Sequence, residues 1–265
     1  MNAAAEARLS ELDRVLDARE LTADLAAELF AVADLLTGQT QLRNAVADPT
    51  SSADQRRELA SAVLGSRVSA DAAAVAGEAA ALKWGSPANL VAALERQGVR
   101  TLFGTAQVAG RLDSVEEELF RFARSVAGSP ELRAALDDRN APVPARQQLI
   151  GDLLADRAKP ETVALAQRAA AVQTRSFEAV LDEYLKLAAA AQQRALAVVT
   201  VAVPLSAAQK ARLMAALSRQ LGRPVSLQVL IDPAVLGGAR VRVGDEVIEG
   251  TVAGRLAAAE HELTK

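Results

Sequence analysis

Cysteine is absent from the 265 residues, so the chain has no disulfide, thiolate metal site or thiol nucleophile to use. Histidine occurs once, as His261 on a charged segment near the C-terminus. A Ser-His-Asp triad would have to be built on that one residue, and a zinc site on carboxylates alone. A solvated surface histidine is the expected reading. Aromatic residues are scarce at 3%, with Trp84 and Tyr184 single examples of their kind, expected in the core or at a domain seam. The 51% of hydrophobic residues is mostly alanine, leucine and valine, a mixture suited to close-packed helices and poorly suited to a β-sandwich. Net charge is only −3, and acids and bases are interspersed, so no basic face marks a nucleic-acid binder. No apolar run reaches the roughly 18 residues of a membrane span. The nearest, from Leu187 to Val203, is interrupted by Gln192, Gln193 and Arg194. Membrane association is therefore expected only through a partner. The first twenty residues lack a signal peptide's apolar core and read as an amphipathic helix, which points to the cytoplasm.

What is present is an internal repeat. Residues 28–67 align without a gap on residues 118–157, at an offset of 90, with 13 of the 40 positions identical. The shared residues include Glu28/Glu118, Leu29/Leu119, Phe30/Phe120, Gly38/Gly128, Arg43/Arg133, Asp48/Asp138, Arg56/Arg146 and Arg67/Arg157. The match weakens but continues through Val75/Leu165 and Val91/Leu181. A unit of about 90 residues is longer than common solenoid periods and can hold its own core, so two tandem helical bundles are expected. Gly38 and Gly128 are expected in the post-terminal position just past a helix end, with the next helices opening near Gln39 and Ser129. Asp48-Pro49 and the run from Ala141 to Pro144 mark turns.

Beyond a helix from about Phe177 to Gln193 the pattern changes. The stretch Ala195 to Val203 is nearly continuously apolar and rich in β-branched residues, and Pro204 closes it, as for a buried strand. Ser206 can cap a helix that carries Leu213, Met214, Leu217 and Leu221 on one stripe and stops at Gly222. Val225, Leu227, Val229 and Ile231 alternate as a second strand. Val241 to Val243, Gly244-Asp245, then Val247-Ile248 reads as a tight hairpin. Thr251 opens a last helix. The expected architecture is mainly α with a small β-α-β-β-α unit: residues 1–92 and 93–193 as helical bundles, and 194–265 as the α/β domain.

No pattern in the chain carries bond chemistry. Gly237, Gly238 and Gly244 match neither the dinucleotide fingerprint nor the P-loop, and they follow a strand and enter a hairpin where a phosphate loop would open a helix. They are read as turn residues, with a partner contact at the hairpin as the other reading. Glu116, Glu117 and Glu118 point to different sides of one helix and read as a solvated helix start favoured by the macrodipole. Alanine-rich helices with few large side chains leave grooves able to accept an amphipathic partner helix.

From Ala197 onward the sequence resembles the δ subunit of bacterial F-type ATP synthases, the counterpart of the mitochondrial oligomycin-sensitivity-conferring protein (OSCP). Pro204-Leu205-Ser206, Asp232-Pro233, Leu236-Gly237-Gly238, Val243-Gly244-Asp245, Val247-Ile248 and Gly250 occur in that family's order. Glu249 and Thr251 stand where aspartate and serine are usual. Upstream, the second repeat is similar to the family's N-terminal bundle, with Phe103, Ala106, Leu119, Phe122 and Ala123 matching, and Gly98 standing where a tyrosine is usual. The first repeat is then the surplus of an extended form with a duplicated N-terminal domain. The resemblance implies a non-catalytic stator subunit without cofactor, on the cytoplasmic face of the plasma membrane. Its partners would be the N-terminal segments of the α subunits and the membrane-anchored b subunits. Leu102, Phe103, Ala106, Val163 and Leu165 are expected to line the groove for an α-subunit helix. Pro204, Asp232, Gly237, Gly238, Gly244, Asp245 and Gly250 are expected to shape the C-terminal domain or to meet b. A generic helical scaffold or regulatory interaction protein is the competing reading.

Overall fold

A computed structural model describes residues 3–192, 195–222, 225–233, 235, 238–243 and 246–249. It is mainly helical with a small α/β part, as the composition and periodicity indicate. The chain forms two compact units, one of Met1–Leu12 with Leu21–Gln192, the other of Asp13–Glu20 with Gln193–Lys265.

Helix α1 (Ala3–Asp17) is followed by α2 (Ala23–Gly38), α3 (Thr40–Val46), α4 (Ala53–Leu64), α5 (Ala70–Ala81) and α6 (Pro87–Val108). Then come α7 (Leu112–Gly128), α8 (Pro130–Asp137), α9 (Val143–Leu154), α10 (Pro160–Ala171) and α11 (Phe177–Gln192). The 90-residue offset lays α4 and α5 onto α9 and α10 end to end, and it places the start of α6 on that of α11. Local chemistry sets these ends. Ser52 and Gln55 form a capping box on α4, Ser69 caps α5 and Ser86 caps α6. Asp48 closes the preceding turn by accepting from the Thr50 amide and hydroxyl, which holds its carboxyl below the usual range.

Two features differ from the sequence reading. Gly38 and Gly128 are the last helical residues of α2 and α7, and Gln39 and Ser129 serve as the N-caps of the next helices. The boundary expected between residues 92 and 93 falls inside α6, a continuous helix of 22 residues. Under the same offset α11 falls on residues 87–102 of α6 and α1 on residues 93–107, so the two copies share this helix.

One core cluster of the helical unit joins Val99, Leu102, Phe103 and Ala106 of α6 to Leu119 and Phe122 of α7, Ile150 of α9, Leu165 of α10 and Tyr184 of α11. Phe122 meets Phe177 edge to face at 5.9 Å. In the first copy, Trp84 is buried and donates from its indole to the Ala79 carbonyl at 2.7 Å.

The second unit holds β1 (Ala195–Val201), α12 (Ala207–Leu221), β2 (Val225–Ile231), β3 (Ala239–Val243) and β4 (Glu246–Glu249) in a sheet of order β2-β1-β3-β4. Strands β1 and β2 are parallel and require the α12 crossover, while β3 runs antiparallel to both β1 and β4. The hairpin arms count separately, so the described order is β-α-β-β-β, one strand more than the sequence string. The helix expected from Thr251, and His261 on it, lie outside the described residues. Ser206 and Gln209 make a second capping box, and Gly222 ends α12 with a left-handed φ of 66°. Met214 and Leu217 bury the α12 stripe, and Leu217 joins Ala197, Val199, Val201, Val225, Val241 and Val243 in the core.

Candidate functional site

The residues expected to line a partner groove come together, but in the core. Leu102, Phe103, Ala106 and Leu165 are buried in the cluster of the second copy, and Val163 is half-buried. Helix α2 of the first copy packs on α6, on the side that carries Gly98 and Gly104. Leu21, just ahead of α2, stands against Gly104, where a Cβ would come within 2.2 Å of its methyl group. Nine residues on, the Phe30 ring stands against Gly98, where a Cβ would lie 2.4 Å from the ring. Leu21 meets Gly104 and Phe30 meets Gly98, so the two helices run in opposite directions. Here glycine is required by close approach, and the ring fills the space that a side chain at position 98 would need.

An electrostatic clamp closes this seam. Arg168 of α10 lies over the Phe30 ring at 4.7 Å from its centroid. Its guanidinium grips Glu95 of α6 by two bonds of 2.8 Å from Nε, plus a third from Nη2, and reaches Asp34 of α2 at 2.8 Å. Tyr184 of α11 donates its hydroxyl to Glu95 at 2.8 Å. Both Glu95 and Arg168 are largely withdrawn from solvent. Burial works against the charge on Arg168, but the Glu95 and Asp34 carboxylates outweigh it and hold the proton more firmly than usual. Burial, and next the Glu95 carboxylate, push the Tyr184 hydroxyl well above the ordinary tyrosine range. Four helices from both copies thus meet at one hydrogen-bonded centre. Sequence reasoning missed it because its partners are 73, 89 and 134 positions apart. The available signals were Gly98 and Gly104, two gaps on one face of α6.

A second structural device is repeated. Glu28 accepts from the Ser69 amide at 3.0 Å and from its hydroxyl, ahead of α5. Glu118, at the equivalent place, accepts from the Lys159 amide at 2.7 Å and the Thr162 hydroxyl at 2.6 Å, ahead of α10. Glu118 is therefore a clasp on the N-terminus of a distant helix and not a merely solvated residue, because orphan amides there favour a carboxylate.

In the second unit, Pro204 is exposed just beyond β1. The Asp232 amide extends the ladder to the Val201 carbonyl at 2.9 Å, and its own carbonyl accepts from Val235 at 3.1 Å, which makes Asp232 a turn former. Gly238 adopts a φ of 79°. Gly237, Gly244, Asp245 and Gly250 lie outside the described residues. Among the described residues no group of His, Asp or Glu side chains is arranged to hold a metal, and no helix is long and apolar enough to cross a membrane.

This architecture coincides with one family. The model of the family described as ATP synthase delta (OSCP) subunit matches residues 97–263, more than half of the chain. The chain is 43% identical over 253 residues to the ATP synthase subunit delta of Cutibacterium acnes, covering 96% of both. It is 45% identical over 242 residues to that of a Parafrankia species, covering 91% and 87%, and 44% identical over 247 residues to that of Streptomyces coelicolor, covering 92% and 90%. A chain of the Toxoplasma gondii mitochondrial ATP synthase hexamer aligns to 63% of this chain at 21% identity with a TM-score of 0.26, too low a value to carry an argument. Because the similarity to the bacterial relatives spans both helical copies and the α/β unit, the chain belongs to the ATP synthase delta (OSCP) subunit family.

Proposed function

We propose that this chain is a static, non-catalytic link in the peripheral stalk of a bacterial F-type ATP synthase, at the cytoplasmic face of the membrane. Its helical unit holds the catalytic hexamer through N-terminal segments of the α subunits, and its α/β unit holds the b subunits. A rotor turning inside the hexamer exerts torque on it, and this chain transmits the opposing torque. The observation that carries the reading is the end-to-end similarity to ATP synthase δ subunits, at 43% identity over 96% of both chains.

The physical character of the helical unit suits such a task. A link under torque has to resist shear between its parts. Here the two copies share one continuous helix, and Arg168 of the second copy holds both Glu95 of that helix and Asp34 of the first copy, which fixes one geometry better than apolar contact alone. Leu102 is buried, so Leu102→Asp places a charge in the core and is expected to unfold the second copy. Leu102, Phe103, Ala106 and Leu165 act by shaping the bundle from within, and Val163, half-buried, is the one of the five able to touch a partner directly.

The test is a pull-down with the full chain as bait, using the N-terminal peptide of the α subunit and the C-terminal part of b from the same complex. Binding of both is expected. Retention of neither would contradict the stator assignment.

A further inference from the structure

The internal repeat makes each copy a control for the other, most sharply at Arg56 and its counterpart Arg146. In the first copy the Arg56 guanidinium is spent on four backbone carbonyls. In the second, Arg146 donates from Nη1 to the Leu136 carbonyl at 3.1 Å, while Nε and Nη2 are buried without a partner. Those two nitrogens form one edge of the guanidinium plane, the edge whose N–H groups converge on an anion. Arg146 is 4% exposed and lines a polar cavity of about 10 Å³, room for one water-sized particle, where the α8–α9 turn meets the α10–α11 turn.

Further positive charge borders this cavity. Arg139 of the first turn and Arg175 of the second line it beside Arg146, against one carboxylate, Asp137. Asp137 is already committed, accepting from the Phe177 amide at 2.7 Å. Arg175 pairs with Glu183, and Arg139 forms no ion pair among the described residues. In the first copy the counterparts of Arg139 and Arg175 are Pro49 and Gly85, and the same corner opens as a cleft of about 520 Å³. The rim arginines thus occur only in the copy whose buried arginine has donors to spare.

We propose that the second copy binds one small inorganic anion, of chloride size, at the Arg146 guanidinium in this cavity. A buried cation without a counter-charge is costly, and two more guanidinium groups at the rim add repulsion. A water molecule there supplies lone pairs but no charge. An anion supplies both, and the narrow cavity admits a halide while excluding sulfate and phosphate. The same arginine then ties together one corner of each bundle, through carbonyls in the first copy and through an ion in the second. This site does not depend on the stalk reading.

The experiment measures the chlorine NMR line width of a chloride solution containing the full chain. Broadening by the wild type is expected, with bromide abolishing it and sulfate at equal ionic strength leaving it in place. Arg146→Met is expected to remove the broadening, and Arg139→Gln and Arg175→Gln each to weaken binding about threefold. Replacing chloride by gluconate at equal ionic strength is expected to lower the Tm of the wild type by about 2 °C and to leave that of Arg146→Met unchanged. Arg139 and Arg175 are exposed, so their variants carry the test even if Arg146→Met fails to fold. No broadening by the wild type would mean that water fills the cavity. Equal broadening by the wild type and the variants, or displacement by sulfate as readily as by bromide, would mean an adventitious ion only. Each of these results would overturn the proposal.

Discussion

Arg56 and Arg146 occupy the same place in two copies of one pattern and meet opposite fates. Arg56 is 1% exposed and spends its guanidinium on four carbonyls, those of Ala80, Ala81, Asp48 and Ser51. Arg146 is 4% exposed and donates to the Leu136 carbonyl alone, leaving Nε and Nη2 buried without partners. Phe30 and Phe120 divide in the same way, one seated and one exposed. In each pair, the first copy holds the satisfied version and the second the unsatisfied one. Duplication supplied identical side chains, and the surroundings decided which became structure and which remained available. The first copy behaves as a buttress for the second, and the second retains the surface with unspent contacts.

The most damaging change to this arrangement is expected to be Arg168→Ala. It strands the Glu95 carboxylate in a buried seam and removes the cation from Phe30, a loss of about 3–5 kcal/mol by chemical denaturation. Next comes the contrast between the two arginines. Arg56→Met leaves four carbonyls without their donor and is expected to cost roughly 3 kcal/mol, whereas Arg146→Met removes two orphan donors and is expected to change stability by about 1 kcal/mol or less. Equal costs at the two sites would erase the distinction drawn between the copies.

A smaller effect changes sign with context. Gly98→Ala forces a methyl into the Phe30 ring and is expected to destabilise by about 1–3 kcal/mol. In a Phe30→Ala background the same substitution has room, and it is expected to stabilise by up to about 1 kcal/mol through helix propensity. Loss of stability in both backgrounds would show that Gly98 serves something other than the ring.

The least effect at neutral pH concerns Tyr184, the only tyrosine. Its folded-state pKa is raised, so above the ordinary tyrosine range the unfolded chain releases a proton that the folded chain keeps, and stability falls as pH rises from there. Below that range the contribution is fully present. Ultraviolet titration is expected to show no tyrosinate in the folded protein near pH ~10 and its appearance only with unfolding.

Much of this was legible beforehand. The offset of 90 located equivalent helices to the residue, since capping serines, prolines and apolar spacing are local signals. Ser206, Gly222 and the alternating strand at Val225 to Ile231 likewise announced themselves. The shared helix was not legible, because nothing between Pro87 and Val108 distinguishes one long helix from the end of one bundle and the start of another. Gly98 and Gly104 look like weak points in isolation and become contacts only when Phe30 and Leu21 are brought against them. The Glu95, Arg168 and Tyr184 centre belongs to tertiary packing, which periodicity does not encode. The burial of Leu102, Phe103, Ala106 and Leu165 was not legible for the same reason, since it depends on which helices pack around them.

The central claim is that the two copies form one mechanical body joined through α6 and the Arg168 clamp. The most direct measurement follows denaturant unfolding with two native probes, the fluorescence of Trp84 in the first copy and the near-ultraviolet absorbance of Tyr184 in the second. Coincident transitions in the wild type, separating in Arg168→Ala, are the expected result. A wild-type protein in which Trp84 reports complete unfolding while Tyr184 remains buried would contradict it.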